Sequence, residues 1–116
     1  MTADKNKADA GKARLTLVPR RILWAIAACR QYGVEVKYPE TGVDGWRHIG
    51  KERLQDAMYR HLVRYLDDPD GVDDESGLPH LWHLATNVAF LCELEEENSG
   101  SSIFRTGDND QLLPGE

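Results

Sequence analysis

The chain is short of cysteine, of basic charge and of long apolar runs, and each shortage removes a class of protein. Its two thiols, Cys29 and Cys92, lie in separate apolar stretches, so they imply no disulfide framework and read as buried, reduced side chains. No stretch approaches the roughly 18 apolar residues of a membrane span. The opening Met-Thr-Ala-Asp-Lys-Asn-Lys lacks the apolar centre of a signal peptide. A cytoplasmic protein with no membrane partner is the expectation. Fourteen Lys and Arg stand against 20 Asp and Glu, a net charge of -6. That balance speaks against nucleic acid as a partner, because phosphate backbones demand clustered cations. A small anionic ligand stays open, since a few cations and a metal can reverse the local field. A Walker-type glycine loop, a CxxC pair, an internal repeat and a convincing strand pattern are also missing.

What is there reads as one small all-α domain over residues 12–97, with polar tails at 1–11 and 98–116. Pro19 suits a first helical turn, and the apolar run that follows predicts a largely buried helix stopped by Gly33. Residues 33–50 carry Pro39, Gly42 and Gly45 with few periodic apolar positions, and so predict an ordered loop. From about Lys51 to Leu66, the residues Leu54, Met58, His61, Leu62, Tyr65 and Leu66 recur at helical spacing, which predicts an amphipathic second helix. Asp56 and Arg60, four apart on it, suit a surface ion pair. Asp-Asp-Pro-Asp-Gly ends this helix. Ser76 as N-cap and Pro79 in the first turn then predict a third, from about Leu78 to about Glu96. So small a helical core is expected to be completed by oligomerisation, as a homodimer or homotetramer.

Within this frame His80, His83 and Asn87 fall on one helical face, at spacings of three and seven residues. Two imidazoles on one face can meet one cation. Asp73 and Glu75, just before the helix, are the acids best placed to join them. An EF-hand reading of the acidic run fails: with Gly71 at the sixth position, Gly77 would occupy the twelfth, where Glu belongs. His61, on the apolar stripe of the second helix, faces the third and can complete the same polar centre. Each histidine also has a plainer reading, as a core side chain bonded to a neighbour. Lys37, Tyr38 and Trp46 combine a cation with aromatic faces, as a phosphate and a stacked base require, although Trp46 equally suits a loop staple. Lys12 and Arg14 reach phosphates or are simply exposed.

With Lys12-Ala-Arg-Leu-Thr-Leu-Val-Pro19, Tyr32-Gly-Val-Glu-Val-Lys-Tyr38, Trp46, Arg60-His61-Leu62, Asp73-Asp-Glu-Ser-Gly77, His80-Leu-Trp-His83 and Asn87 gathered, the chain resembles the phage and bacterial dATP/dGTP diphosphohydrolases. These are MazG-like, all-α nucleoside triphosphate pyrophosphohydrolases. The resemblance implies a MazG-like antiparallel helical bundle that cleaves dGTP or dATP to the monophosphate and pyrophosphate. It also implies Mg2+ or Mn2+ between the helices and a part in nucleotide-pool remodelling during phage DNA synthesis, in the host cytoplasm. Under it Asp73, Glu75, His80 and His83 are metal candidates, and Glu75 and His61 candidates for the base. Lys12, Lys37, Arg53 and Arg60 would steady phosphates, Tyr38 and Trp46 stack on the base, and Asn87 bond to base or sugar. Typical MazG proteins use a Glu-Glu-x-x-Glu helix and a Glu-x-x-Asp helix. Here the first motif is missing, and His80-x-x-His83 stands where the second would fall. The rival reading is a non-enzymatic helical interaction module whose histidines form a buried network that fixes register.

Overall fold

The computed structural model describes residues 10–99. Most of both expected tails lies outside the described residues. Three α-helices carry the fold: α1 at Arg21–Tyr32, α2 at Lys51–Asp67 and α3 at His80–Ser99. Among the described residues there is no strand, only an isolated antiparallel bridge between Val72 and Pro79. The architecture is all-α, as the periodicity predicts. The chain divides into two compact units, one spanning Pro19–Leu94 and the other formed by the residues before and after it. In the described part of the latter, Leu15–Leu17 makes a 3-10 turn closed by the Leu17 N–H on the Arg14 carbonyl. Lys12 and Arg14 belong to this unit.

Within Pro19–Leu94, α1 forms because Ala25, Ala27 and Ala28 cost no side-chain entropy, and Arg30 complements the negative helix end. Gly33 does not stop it. Its backbone stays right-handed (φ -63°, ψ -41°) and the chain continues as a wide π turn over Gly33–Lys37, closed by the Tyr38 N–H on the Gly33 carbonyl at 2.9 Å. Such wide turns recur at functional sites, and this one delivers Lys37 and Tyr38 to the cavity described below. Nor is α1 buried as expected: only Ala25 and Cys29 are, while Leu23 and Trp24 are 63% and 79% exposed. Its apolar residues are spread over more of its surface than the described residues cover.

Gly50, at φ +103°, turns the chain into α2. There Leu54 is buried at 3% exposure, and Met58, His61, Leu62 and Tyr65 follow it half-buried along one stripe. Leu66 departs from that stripe and stays exposed. Asp56 and Arg60 form no ion pair with each other among the described contacts.

The segment from Gly71 to Pro79 closes on itself. The Asp73 N–H bonds the Leu78 carbonyl and the Gly77 N–H the Asp73 carbonyl, each at 2.8 Å, while Gly77 at φ +74° supplies a reversal most residues resist. Helix α3 therefore begins at His80 rather than Leu78, and the Pro79 carbonyl accepts its first N–H bonds, from Trp82 and His83. Ser76 is not its N-cap. The Ser76 hydroxyl accepts the Leu78 N–H and touches His83 instead. Among the described side chains of α3, His80, Thr86 and Leu94 are buried, and Cys92, expected inside, is exposed. Among the described residues the buried core is thus thin: Ala25, Cys29, Leu54 and Leu94 with the polar His80 and Thr86.

Candidate functional site

Imidazoles converge where α2 faces the start of α3. His61 Nδ1 and His80 Nδ1 are 3.0 Å apart, and the His61 ring stacks on His83 with centroids 4.8 Å apart and planes 15° from parallel. His83 Nε2 lies 2.7 Å from the Ser76 hydroxyl. Asp73 completes the cluster. One nitrogen each from His61 and His80 and a carboxylate oxygen of Asp73 lie within 4.8 Å of one another. The closed loop fixes this acid, because Asp73 Oδ2 accepts the N–H groups of Glu75 and Ser76 at 3.0 and 2.9 Å. That is an Asx turn, the conformation an Asp side chain favours in a tight reversal.

The charges follow from this packing. Desolvation pushes the His61 pKa down, and the neighbouring His83 pushes it further, to about 4, despite the opposing pull of Asp73. Desolvation likewise lowers His83 against the pull of Asp73. At Asp73 desolvation works upward, but the two backbone N–H bonds and the imidazoles outweigh it and hold the carboxyl below its usual range. For the protein without a bound cation the sign follows directly. Unfolded His61 takes up a proton below about pH 6.5 while the folded form resists until about 4, so its stability contribution is present above pH 6.5 and lost as pH falls through that window. After discounting for the half-exposed ring, the loss is of order 1–2 kcal/mol. Thermal unfolding followed at pH 7.5, 6 and 5 should show a falling midpoint; a flat profile would count against a neutral His61.

A cavity of about 440 Å³ opens beside this cluster. His61, Asp73, Glu75 and His83 line it together with Lys37, Tyr38 and Arg53. Asn87, Phe90, Trp46, Cys29 and Thr86 are also among its lining residues. Lys37 Nζ pairs with Glu75 Oε1 at 3.0 Å. Desolvation is the largest single influence and disfavours the Lys37 charge, but Glu75 and Tyr38 together outweigh it and raise its pKa. A neighbouring cavity shares Arg53, His61, His83 and Asn87 and adds Arg60. Burial raises the Cys29 thiol, with the Thr86 hydrogen bond working the other way, so the wall there is uncharged.

Trp46 stacks on Phe90 of α3 with centroids 4.2 Å apart and planes 11° from parallel, and Arg47 covers the Trp46 ring at 4.6 Å. Arg30 lies 5.4 Å from the Phe90 ring centre and donates to the Val43 carbonyl. These contacts staple the 38–50 loop over the cavity. Trp46→Ala is expected to cost about 1–3 kcal/mol of unfolding free energy and to speed proteolytic cutting of that loop; an unchanged cutting rate would refute the staple.

The expected residues therefore separate. His61, Asp73 and His80 form the cluster of donors, whereas Glu75 is paired with Lys37 and His83 is engaged by Ser76. Lys37, Tyr38, Trp46, Arg53 and Asn87 line the main cavity, and Arg60 its neighbour. Lys12 belongs to the other unit. Spacing missed Ser76, Phe90 and Arg30. Phe90 was within reach, three residues beyond Asn87 on the same helical line as His80 and His83. Ser76 offered no periodic signal, being outside the helix.

The donor chemistry fits a divalent cation. Adjacent ligands around one ion with bonds near 2.1 Å stand about 3 Å apart; the His61–His80 pair is at 3.0 Å, and all three donor atoms lie within 4.8 Å of one another. Among the described residues, no helix is long and apolar enough to cross a membrane.

Comparison with known proteins adds two findings. A family model described as dATP/dGTP diphosphohydrolase, N-terminal, matches residues 2–102. The chain is also similar to a protein of Salmonella phage PMBT28 described as a dATP/dGTP diphosphohydrolase, with 38% identity over 85 residues. That alignment covers 73% of this chain and 28% of the phage protein, so the chain spans less than a third of its relative's length. No solved structure matches.

Proposed function

The chain belongs to the dATP/dGTP diphosphohydrolase N-terminal family, and from that premise we propose that it hydrolyses purine deoxynucleoside triphosphates to the monophosphate and pyrophosphate, with divalent-cation dependence. The observation that carries the reading is one cavity lined by a cation pair, Lys37 and Arg53, by aromatic faces and by the His61–Asp73 edge of a donor cluster. A triphosphate needs all three: positive charge for its phosphates, a face for its base, and donors for a metal.

His61, His80 and Asp73 would hold the ion, which when bound supplies positive charge against the triphosphate. Lys37, Arg53 and Arg60 meet the phosphates. Phosphate competes with Glu75 for the Lys37 ammonium, and Glu75, once released, is the carboxylate free to take a proton from the attacking water. The water oxygen bonds the α-phosphorus, the bond to the bridging oxygen breaks, and its electron pair leaves with pyrophosphate. Tyr38 offers the base a face and Asn87 a hydrogen-bonding amide, while Trp46, already stacked on Phe90, presents only its other side. Lys12 is proposed as a further phosphate contact. His83 serves better as a brace than as a ligand, because Ser76 engages its Nε2.

The role that suits this activity is nucleotide-pool remodelling during phage DNA synthesis, in the host cytoplasm. A homodimer or homotetramer would cover the exposed Leu23, Trp24, Val63 and Leu66. Sedimentation of the purified chain checks this, and a lone monomer at micromolar concentration refutes it. The activity is tested by chromatographic identification of products from each common triphosphate with each cation. Monophosphate and pyrophosphate from dATP or dGTP are expected; release of single phosphates would refute the reaction. No product with any cation would favour a helical interaction module, for which the His61–His80 contact is a register device.

A further inference from the structure

We propose that His61, His80 and Asp73 form a centre that takes a borderline transition cation, of the iron-to-zinc series, in strong preference to magnesium. This rests on the metal-dependent reading above and sharpens it.

The donor count decides the preference. Two of the three converging atoms are imidazole nitrogens, and only one is a carboxylate oxygen. Imidazole suits zinc, iron, nickel and copper, whereas magnesium seeks oxygen ligands in a near-ideal octahedron and gives up its waters reluctantly. The other carboxylate oxygens beside the centre are engaged. Glu75 pairs with Lys37 at 3.0 Å, and Asp73 Oδ2 already accepts two backbone N–H groups. The centre therefore offers an incoming ion little hard, anionic oxygen, which is what would compensate magnesium for lost hydration.

The imidazoles are also held in place for the task. His80 is buried, with its Nδ1 on His61. His83 stacks on the opposite partner, His61, and is tied by its Nε2 to the Ser76 hydroxyl, so it supports the His61 ring plane. Outer contacts of this sort orient ligands and usually matter to affinity almost as much as the ligands themselves.

The test uses untagged protein stripped of metal and titrated separately with cobalt(II) chloride and magnesium chloride by calorimetry, with visible absorption recorded for cobalt. Cobalt is expected to bind about 100-fold more tightly than magnesium and to develop bands distinct from those of the hydrated ion. His61→Asp, which trades nitrogen for oxygen, should narrow that ratio at least about tenfold. If that variant fails to fold, the wild-type ratio and spectrum still decide. A wild-type ratio below about tenfold, or a spectrum matching hydrated cobalt, would overturn the proposal. Absence of triphosphate hydrolysis with every cation would instead overturn the proposed function, and the binding ratio reads the centre independently of it.

Discussion

Asp73→Asn is expected to lower pyrophosphate release about 1,000-fold while leaving the fold within about 1 kcal/mol of wild type. The two halves of this result have separate causes. The amide oxygen of Asn can still accept the Glu75 and Ser76 N–H groups that Asp73 Oδ2 accepts now, and Asn is at home in such turns, so the closed loop survives. What disappears is the only carboxylate in the donor cluster and with it most of the attraction for a divalent ion. The variant should also bind cobalt at least about tenfold more weakly by calorimetry. Thermal melting and product analysis on the same preparation separate the effects. Activity within tenfold of wild type would remove Asp73 from the centre, and with it the assignment of this cluster.

Leu54→Ala should be the most damaging single change to stability. Leu54 has the least exposed side chain among the described core residues, and the others of that core are small or polar: Ala25, Cys29, His80 and Thr86, with Leu94 further along. Truncating a buried leucine removes transfer free energy and leaves a cavity, together about 2–4 kcal/mol. Domains of this size are commonly stable by only about 5 kcal/mol or somewhat more, so much of the margin goes. Urea denaturation should show the midpoint falling steeply with little change in slope. A loss under about 1 kcal/mol would mean that the α2 stripe is not held by this contact.

The parts legible in the sequence were those that periodicity encodes locally. Helix α2 and the line His80, His83, Asn87 repeat every three or four residues, and no distant contact is needed to see that they share a face. The convergence of His61 with His80 was readable for the same reason, because each lies on the inward stripe of its own helix. The role of His83 was not. Its partner, Ser76, reaches it only because the 71–79 segment closes on itself through the Asp73–Leu78 hydrogen bond and the positive φ of Gly77, and spacing carries no trace of that. Gly33 misled in another way. A glycine after a helix commonly adopts the left-handed stop, but the residue tolerates both hands, and here the right-handed one extends the turn to Lys37. The exposure of Trp24 was hidden because composition counts apolar residues without saying which of them a neighbouring element covers.

The contact between His61 and His80 has one further consequence. A hydrogen bond between two Nδ1 atoms needs a donor and an acceptor, so one ring carries its hydrogen on Nδ1 and the other on Nε2. When both rings are neutral, the two imidazoles must be different tautomers that complement each other. For both Nδ1 lone pairs to face a cation, the shared hydrogen would have to move to Nε2 of its ring, making the two rings alike. Nitrogen-15 spectra of the imidazoles would show unlike rings before loading and matched rings after, a signature written into the resting molecule by a single 3.0 Å contact.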